Sequence, residues 1–278
     1  TILFEDKEDP IIIAPENYTI EGCDTKDIKD LVFSDTTEEI TLGELQSALD
    51  GGGDASDDIA IDTITYIDEV VSSNSCTTEV KRTFTVTDTC GKTATDVQII
   101  IIEDTIAPKF VETLPNDLKV ECDAVPTAET LTATDNCSDA TVTFKEDRID
   151  GACDSEYTLV RTWTASDECG NSVSHKQTIT VEDNTAPTFV EALPADATVE
   201  CDSVPEAETL TATDNCDASV TVIFNEVRTD SACDSEYSLA RTWTVTDCAG
   251  NETSHTQTIT VEDNTAPTFV EALPADAT

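Results

Sequence analysis

Apolar and polar residues alternate in short runs along most of this chain, and Gly, Pro, Asp or Asn separate the runs. Alternation with a period of two marks strands that bury one face and wet the other. The clearest run is Tyr157–Ser166, YTLVRTWTAS, where Leu159, Trp163 and Ala165 share one face with Arg161. Trp163 is therefore expected in the centre of a core, with Trp243 and Phe84 in the matching places elsewhere, and burial is a better reading of this Trp than a sugar-stacking platform. Arg161, like Arg82 and Arg241, is expected to pair with an acidic loop. Around it the alternation predicts strands near Lys109–Glu112, Leu118–Glu121, Glu129–Thr134, Thr141–Glu146, Tyr157–Ser166 and Ser172–Glu182. The last two form a hairpin closed by Asp167–Asn171. Abundant Thr suits such strands, because β-branched side chains pack well on a pleated surface. The fold class is all-β, with antiparallel Ig-like sandwich modules in an extended array.

The pattern repeats. EDNTAP at Glu182–Pro187 recurs at Glu262–Pro267, with the variants EDTIAP from Glu103 and EDKEDP from Glu5. Residues 263–278 copy 183–198 letter for letter. Two stretches match along their length: ATDNC (Ala133–Cys137, Ala212–Cys216), ACDSEY (Ala152–Tyr157, Ala232–Tyr237) and RTWT (Arg161–Thr164, Arg241–Thr244). The expected modules are 1–103, 104–182 and 183–262, with 263–278 opening a fourth, so the chain reads as a slice of a longer array. The first module diverges, with RTFT at Arg82–Thr85 and an insertion near 41–60. Within it LGELQSAL followed by GGG predicts a short helix ended by glycine.

Composition narrows the compartment and the partners. Eleven cysteines without CxxC spacing point to an oxidising, extracellular setting. The formal charge is −45, which repels nucleic acid and anionic lipid. No apolar run is long enough to cross a bilayer, so neither nucleic acid binding nor membrane insertion is expected. Disorder, the other reading of an acidic, aromatic-poor chain, conflicts with the regular alternation and fixed cysteine spacing.

Four cysteines per module permit three pairings, and sequence alone does not choose among them. Topology suggests one. In an Ig-like sandwich the AB and EF loops share one pole, and the BC and FG loops share the other. Cys122 falls in AB, Cys153 before strand F, Cys137 in BC and Cys169 in FG. That predicts Cys122–Cys153 and Cys137–Cys169, and equally Cys201–Cys233 and Cys216–Cys248. In the first module Thr37 takes the BC place, so Cys23–Cys76 is expected with Cys90 as a free thiol. Loops of about 30 residues make each such bridge worth roughly 3–4 kcal/mol in the chain-entropy model.

The same topology gathers oxygen ligands at the joints. Asp183 and Asn184 leave one module while Asp214, Asn215 and Asp247 face them from the next; the first joint has Asp104, Asp135, Asn136 and Asp167, and Asp263 opens the motif again. Hard oxygen donors in that number suit calcium. The competing reading is that these Asp and Asn residues only shape turns. Pro187 holds Ala186 extended, which already favours a stiff, short connection.

DNTAP, ATDN and RTWTxxDxxGN together resemble the HYR-like, Ig-like repeats of very large bacterial surface adhesins, closest to the SprB-type gliding-motility adhesins of Bacteroidota. The resemblance covers the second and third modules fully and the first in part. It implies export to the bacterial cell surface and service as a stalk or filament segment in adhesion or gliding, and it maps calcium ligation onto Asp183, Asp214 and Asp247. Partners would be neighbouring modules, other copies in a fibre, and surface glycans or proteins met by other parts of the molecule. The alternative is a carbohydrate- or protein-binding module. Catalysis is not expected: His175 and His255 occupy matching strand positions with no Ser or Cys partner near them.

Overall fold

The computed structural model describes residues 6–48 and 51–268. The chain divides into two compact units, and the divide runs through the middle module. Thr1–Pro115, Glu129–Lys145 and Thr162–Lys176 form one; Asn116–Ala128, Glu146–Arg161 and Gln177–Thr278 form the other.

The first module contributes β1 (Ile11–Ile13), β2 (Tyr18–Glu21), β3 (Glu38–Ile40), α1 (Leu42–Ser47), β4 (Asp54–Ser56), β5 (Ile61–Ser73), β6 (Thr77–Asp88) and β7 (Thr93–Glu103). Five strands pair in the order β2-β7-β6-β5-β3, with β2 parallel to β7, and β1 pairs with β4. Ile12 and Ala55 from the small pair pack with Ile64, Tyr66, Phe84 and Val86 from the large sheet, which makes a two-layer sandwich. Helix α1 starts at a capping box between Thr41 and Glu44, and its Leu45 is fully buried in the same core. The predicted helix is thus present, although Leu49 lies outside the described residues.

The middle module contributes β8 (Lys109–Phe110), β9 (Leu118–Glu121), β10 (Ala133–Thr134), β11 (Thr141–Asp150), β12 (Tyr157–Ser166) and β13 (Ser172–Glu182), with sheet order β11-β12-β13-β9 and a β10-β8 pair. The third repeats this as β14 (Thr188–Phe189), β15 (Ala197–Glu200), β16 (Ala212–Thr213), β17 (Val222–Asp230), β18 (Tyr237–Thr246) and β19 (Glu252–Glu262). Of the following stretch only 263–268 is described, so the expected fourth module falls largely outside the described residues.

Trp163 and Trp243 are buried, and each indole N–H donates 3.0 Å to a loop carbonyl, of Glu129 and Glu208 respectively. The cores beside them are small: Leu159, Ile179 and Val181 in one module, Leu239, Ile259 and Val261 in the next.

The arginines differ from expectation in one respect. Their acidic partners sit on the adjacent strand, and the loops supply carbonyls. Arg82 grips both oxygens of Asp68 at 2.7 and 2.8 Å, with side-chain exposures of 1% and 0%. Arg161 meets Glu146 at 2.7 Å and the Pro126 carbonyl at 2.7 Å; Arg241 meets Glu226 and Pro205 likewise. Glu146 is 37% exposed, so water shares that pair. Removing one partner of a fully buried pair leaves a bare charge. Asp68→Ala should therefore cost about 3–5 kcal/mol, and Glu146→Ala about 1 kcal/mol. Amide hydrogen exchange in β5–β6 and in β11–β12 measures both, and equal costs would refute the account.

Candidate metal sites and the cysteine bridges

The linker after β7 carries Asp104 into the first joint. Its Oδ1 accepts the Ile106 amide at 3.2 Å, while its Oδ2 is buried with no hydrogen-bond partner. Asp135, just past β10, uses Oδ2 to hold the amides of Cys137 (3.0 Å) and Ser138 (3.2 Å) and leaves Oδ1 bare and buried. Asp167, in the turn after β12, accepts the Asn171 backbone amide and side-chain amide, each at 2.9 Å. Asn171 Nδ2 also donates to the Asp104 carbonyl at 3.0 Å, which ties turn to linker. One oxygen from each of the three aspartates lies within 4.8 Å of the others.

The second joint repeats this hydrogen bonding. Asp183 Oδ1 takes the Thr185 amide, Asp214 Oδ1 takes Cys216 and Asp217, and Asp247 takes Gly250 and Asn251. Asn251 donates to the Asp183 carbonyl at 3.0 Å, and Oδ2 of both Asp183 and Asp214 is buried without a partner.

The electrostatics agree with the geometry. Burial pushes the Asp104 carboxyl above its ordinary range against the pull of the Ile106 amide, and the charges of Asp135, Asp167 and Glu21 add to the push. Asp183 is raised in the same way, by burial first and then by Asp214, Asp247 and Asp217. Asp167 goes the other way: burial raises it, but the donors of Asn171 and its turn outweigh burial and hold it low. A buried carboxylate oxygen without a donor is costly. Convergent bare oxygens on carboxylates whose other oxygens lock a loop fit a hard divalent cation.

The remaining predicted ligands have partners of their own. Asn136 turns its amide to the Cys137 sulfur at 2.9 Å, and Asn215 does the same to Cys216 at 3.2 Å. Asn184 donates its backbone and side-chain N–H groups to Glu121. Asp263 is exposed and accepts only the Thr265 amide among the described contacts. Two residues were missed. Glu21 lies within 4.8 Å of Asp104 and Cys137, and Glu121 within the same span of Asp183 and Cys216. Their signal was a Glu at or beside the AB cysteine, as at Glu121–Cys122 and Glu200–Cys201.

A third acidic cluster, also missed, lies at the first module's opening pole. Asp6, Asp88 and Cys90 gather there, and Asp6, Asp57 and Asp88 each keep a bare buried oxygen. Lys92 stands where the other modules have Asn171 and Asn251, and its Nζ is 3.5 Å from Asp6. Asp57 Oδ2 accepts the Ile59 amide, just as Asp135 Oδ2 accepts that of Cys137. Ile59, and not Thr37, therefore occupies the BC cysteine's place. The residues inserted ahead of β4 displaced the sequence match.

The bridges correct the expected pairing. Cys23 bonds Cys137, Cys76 bonds Cys169, Cys122 bonds Cys216 and Cys153 bonds Cys248. None is the expected Cys23–Cys76, Cys122–Cys153, Cys137–Cys169 or Cys216–Cys248. Cys90 is free as expected, but so are Cys201 and Cys233. Each bond runs from one module's AB or EF loop to the BC or FG loop of the next, because the closing pole of one module meets the opening pole of its neighbour. The loops that close span 93 to 114 residues, for which the chain-entropy model gives roughly 4–5 kcal/mol each. The histidines pack into the sandwich: His175 Nε2 lies 2.8 Å from the Pro115 carbonyl beside Trp163, and His255 repeats this with Pro194 and Trp243.

Residues 189–261 match the model of the HYR-like domain with 4 cysteines. No curated protein matches the chain. Among solved structures it is similar to the Protocadherin GammaB4 extracellular domain (14% identity, TM-score 0.32, 95% of this chain and 51% of that one). It is also similar to Protocadherin Gamma B2 extracellular cadherin domains 1-5 (12%, 0.31, 96% and 62%) and Drosophila N-cadherin EC1-4 (16%, 0.22, 90% and 74%). The chain spans only about half the length of the first of these. The modules are Ig-like β repeats stapled by disulfides. Non-reducing peptide mapping should recover Cys122–Cys216 and Cys153–Cys248 and no Cys122–Cys153 peptide; finding the latter would overturn the bridging described here.

Proposed function

We propose that this chain is a structural segment of a secreted, cell-surface adhesive fibre, in which sulfur bridges and bound calcium hold successive Ig-like modules at fixed joints. The observation that carries the proposal is that two disulfides cross each of the two joints. Bridges so placed do little to close a binding pocket and a great deal to keep neighbours in register. The module boundaries follow the joints: 1–103, 104–182 and 183–262, with 263–278 opening a further module. Bacterial surface display in a gliding-type adhesin rests on the DNTAP, ATDN and RTWT motifs and their resemblance to that family.

Calcium has a defined part in this reading. Asp104, Asp135 and Asp167 would hold one ion, and Asp183, Asp214 and Asp247 another, with Glu21 and Glu121 close by. The ion supplies positive charge to carboxylates that burial and mutual repulsion disfavour. Because it binds only the assembled joint, it should stabilise the folded chain by mass action, about 2.7 kcal/mol per site at a hundredfold excess over Kd. Millimolar calcium should raise the melting temperature by several degrees, and Asp104→Asn with Asp183→Asn should abolish the rise. A wild-type chain whose melting ignores calcium would remove the ion from the proposal.

A further inference from the structure

Module three holds two cysteines, Cys201 and Cys233, that are exposed and form no bond. They occupy the places of Cys122 and Cys153, and of Cys23 and Cys76, all four of which are bonded forward to the next module. The loops around them are already shaped for the same task. Ser203 N donates to the Glu200 carbonyl at 3.0 Å, as Ala124 does to Glu121. Glu236 N donates to the Cys233 carbonyl at 3.0 Å, as Glu156 does to Cys153. Strand β15 lies parallel to β19 in the register that β9 keeps with β13. Glu200 Oε2 accepts the Asn264 amide at 3.0 Å, as Glu121 accepts Asn184. This half of a joint therefore has its working shape before any sulfur bond forms.

We propose that Cys201 and Cys233 form a two-thiol docking edge for a following module of the same four-cysteine type. Cys201 would bond the cysteine in the position of Cys216, and Cys233 the one in the position of Cys248. A second copy of this chain cannot complete the pair through its first module, since that module offers Cys90 in one loop but Ile59 in the other. Each bond forms by two exchanges with a disulfide oxidant such as oxidised glutathione. One thiolate displaces a glutathione thiolate to give a mixed disulfide, and the partner thiolate then displaces the second. Two thiols lose two protons and two electrons, and one oxidised glutathione becomes two reduced molecules. The inference deepens the structural reading above and rests on it.

The test extends the full chain after Thr278 with a second copy of residues 199–278, in which the copies of Cys201 and Cys233 are serine. Both chains are refolded with oxidised and reduced glutathione, then denatured and mass-tagged on free thiols without reduction. The original chain should carry three tags, on Cys90, Cys201 and Cys233. The extended chain should carry one, on Cys90, and its digest should yield the Cys201 peptide joined to a Cys216-sequence peptide and the Cys233 peptide joined to a Cys248-sequence peptide. A Cys201–Cys233 bond in either chain overturns the proposal. So do tags retained on both thiols in the extended chain, or a Cys90-linked dimer of the original chain through Cys201 or Cys233. The same digest reports Cys23–Cys137, Cys76–Cys169, Cys122–Cys216 and Cys153–Cys248. Loss of those four would overturn the structural reading itself, and so separates its failure from failure of the docking edge.

Discussion

Sulfur bonds that join one module to the next are the constraint on which the rest of this structure depends. A small β module with a thin core ordinarily needs internal staples to stay folded. Here the second and third modules each stand on a few aliphatic side chains, one buried Trp and one arginine paired to its neighbouring strand, and the covalent closure is spent at the joints. Joining residues 93 to 114 apart removes more freedom from the unfolded chain than a staple inside a module would. It also fixes two loops of one module against two loops of the next, a constraint that no amount of core packing within a module provides.

The joints need such bonds because their charges oppose closure. Exposed carboxylates more than about 10 Å apart are screened by ordinary salt, so the net charge of −45 is tolerable over the surface at large. The three carboxylates of the first joint sit within 4.8 Å of one another, with Asp104 buried and Asp135 and Asp167 half-buried, where salt gives less help than in open solvent. The opening pole of module one handles a comparable cluster with Lys92, a cation on the chain itself. At the two joints the equivalent residue is Asn171 or Asn251, which donates to the linker carbonyl and carries no charge. One residue exchange thus separates a pole that neutralises part of its own charge from two whose equivalent residue is neutral.

Much of the fold was legible from alternation alone. Leu118–Glu121, Tyr157–Ser166 and Ser172–Glu182 match the observed strands, because strict period-two alternation over a half-buried sheet leaves little freedom of register. The strand expected over Glu129–Thr134 is shorter, Ala133–Thr134, since only its end pairs with β8. The loop positions of the cysteines were also legible, and so was the gathering of Asp104, Asp135 and Asp167 at the first joint. The cysteines' partners were not. In a chain with a repeat of about 80 residues, Cys122 is compatible with Cys153 and with Cys216, and spacing carries no information about which pole faces which. The side-chain amides of Asn136, Asn184 and Asn215 donate to sulfur or to a glutamate, a choice made by local geometry that composition does not encode.

The central claim is that the modules are covalently joined across their joints, and cutting the chain between them tests it most directly. A protease site placed at Thr185–Ala186 severs the backbone of the second joint while leaving Cys122–Cys216 and Cys153–Cys248 in place. On a non-reducing gel the cleaved protein should run as one species, and a thiol reductant should split it into two. Separation into two fragments without reductant would contradict the account.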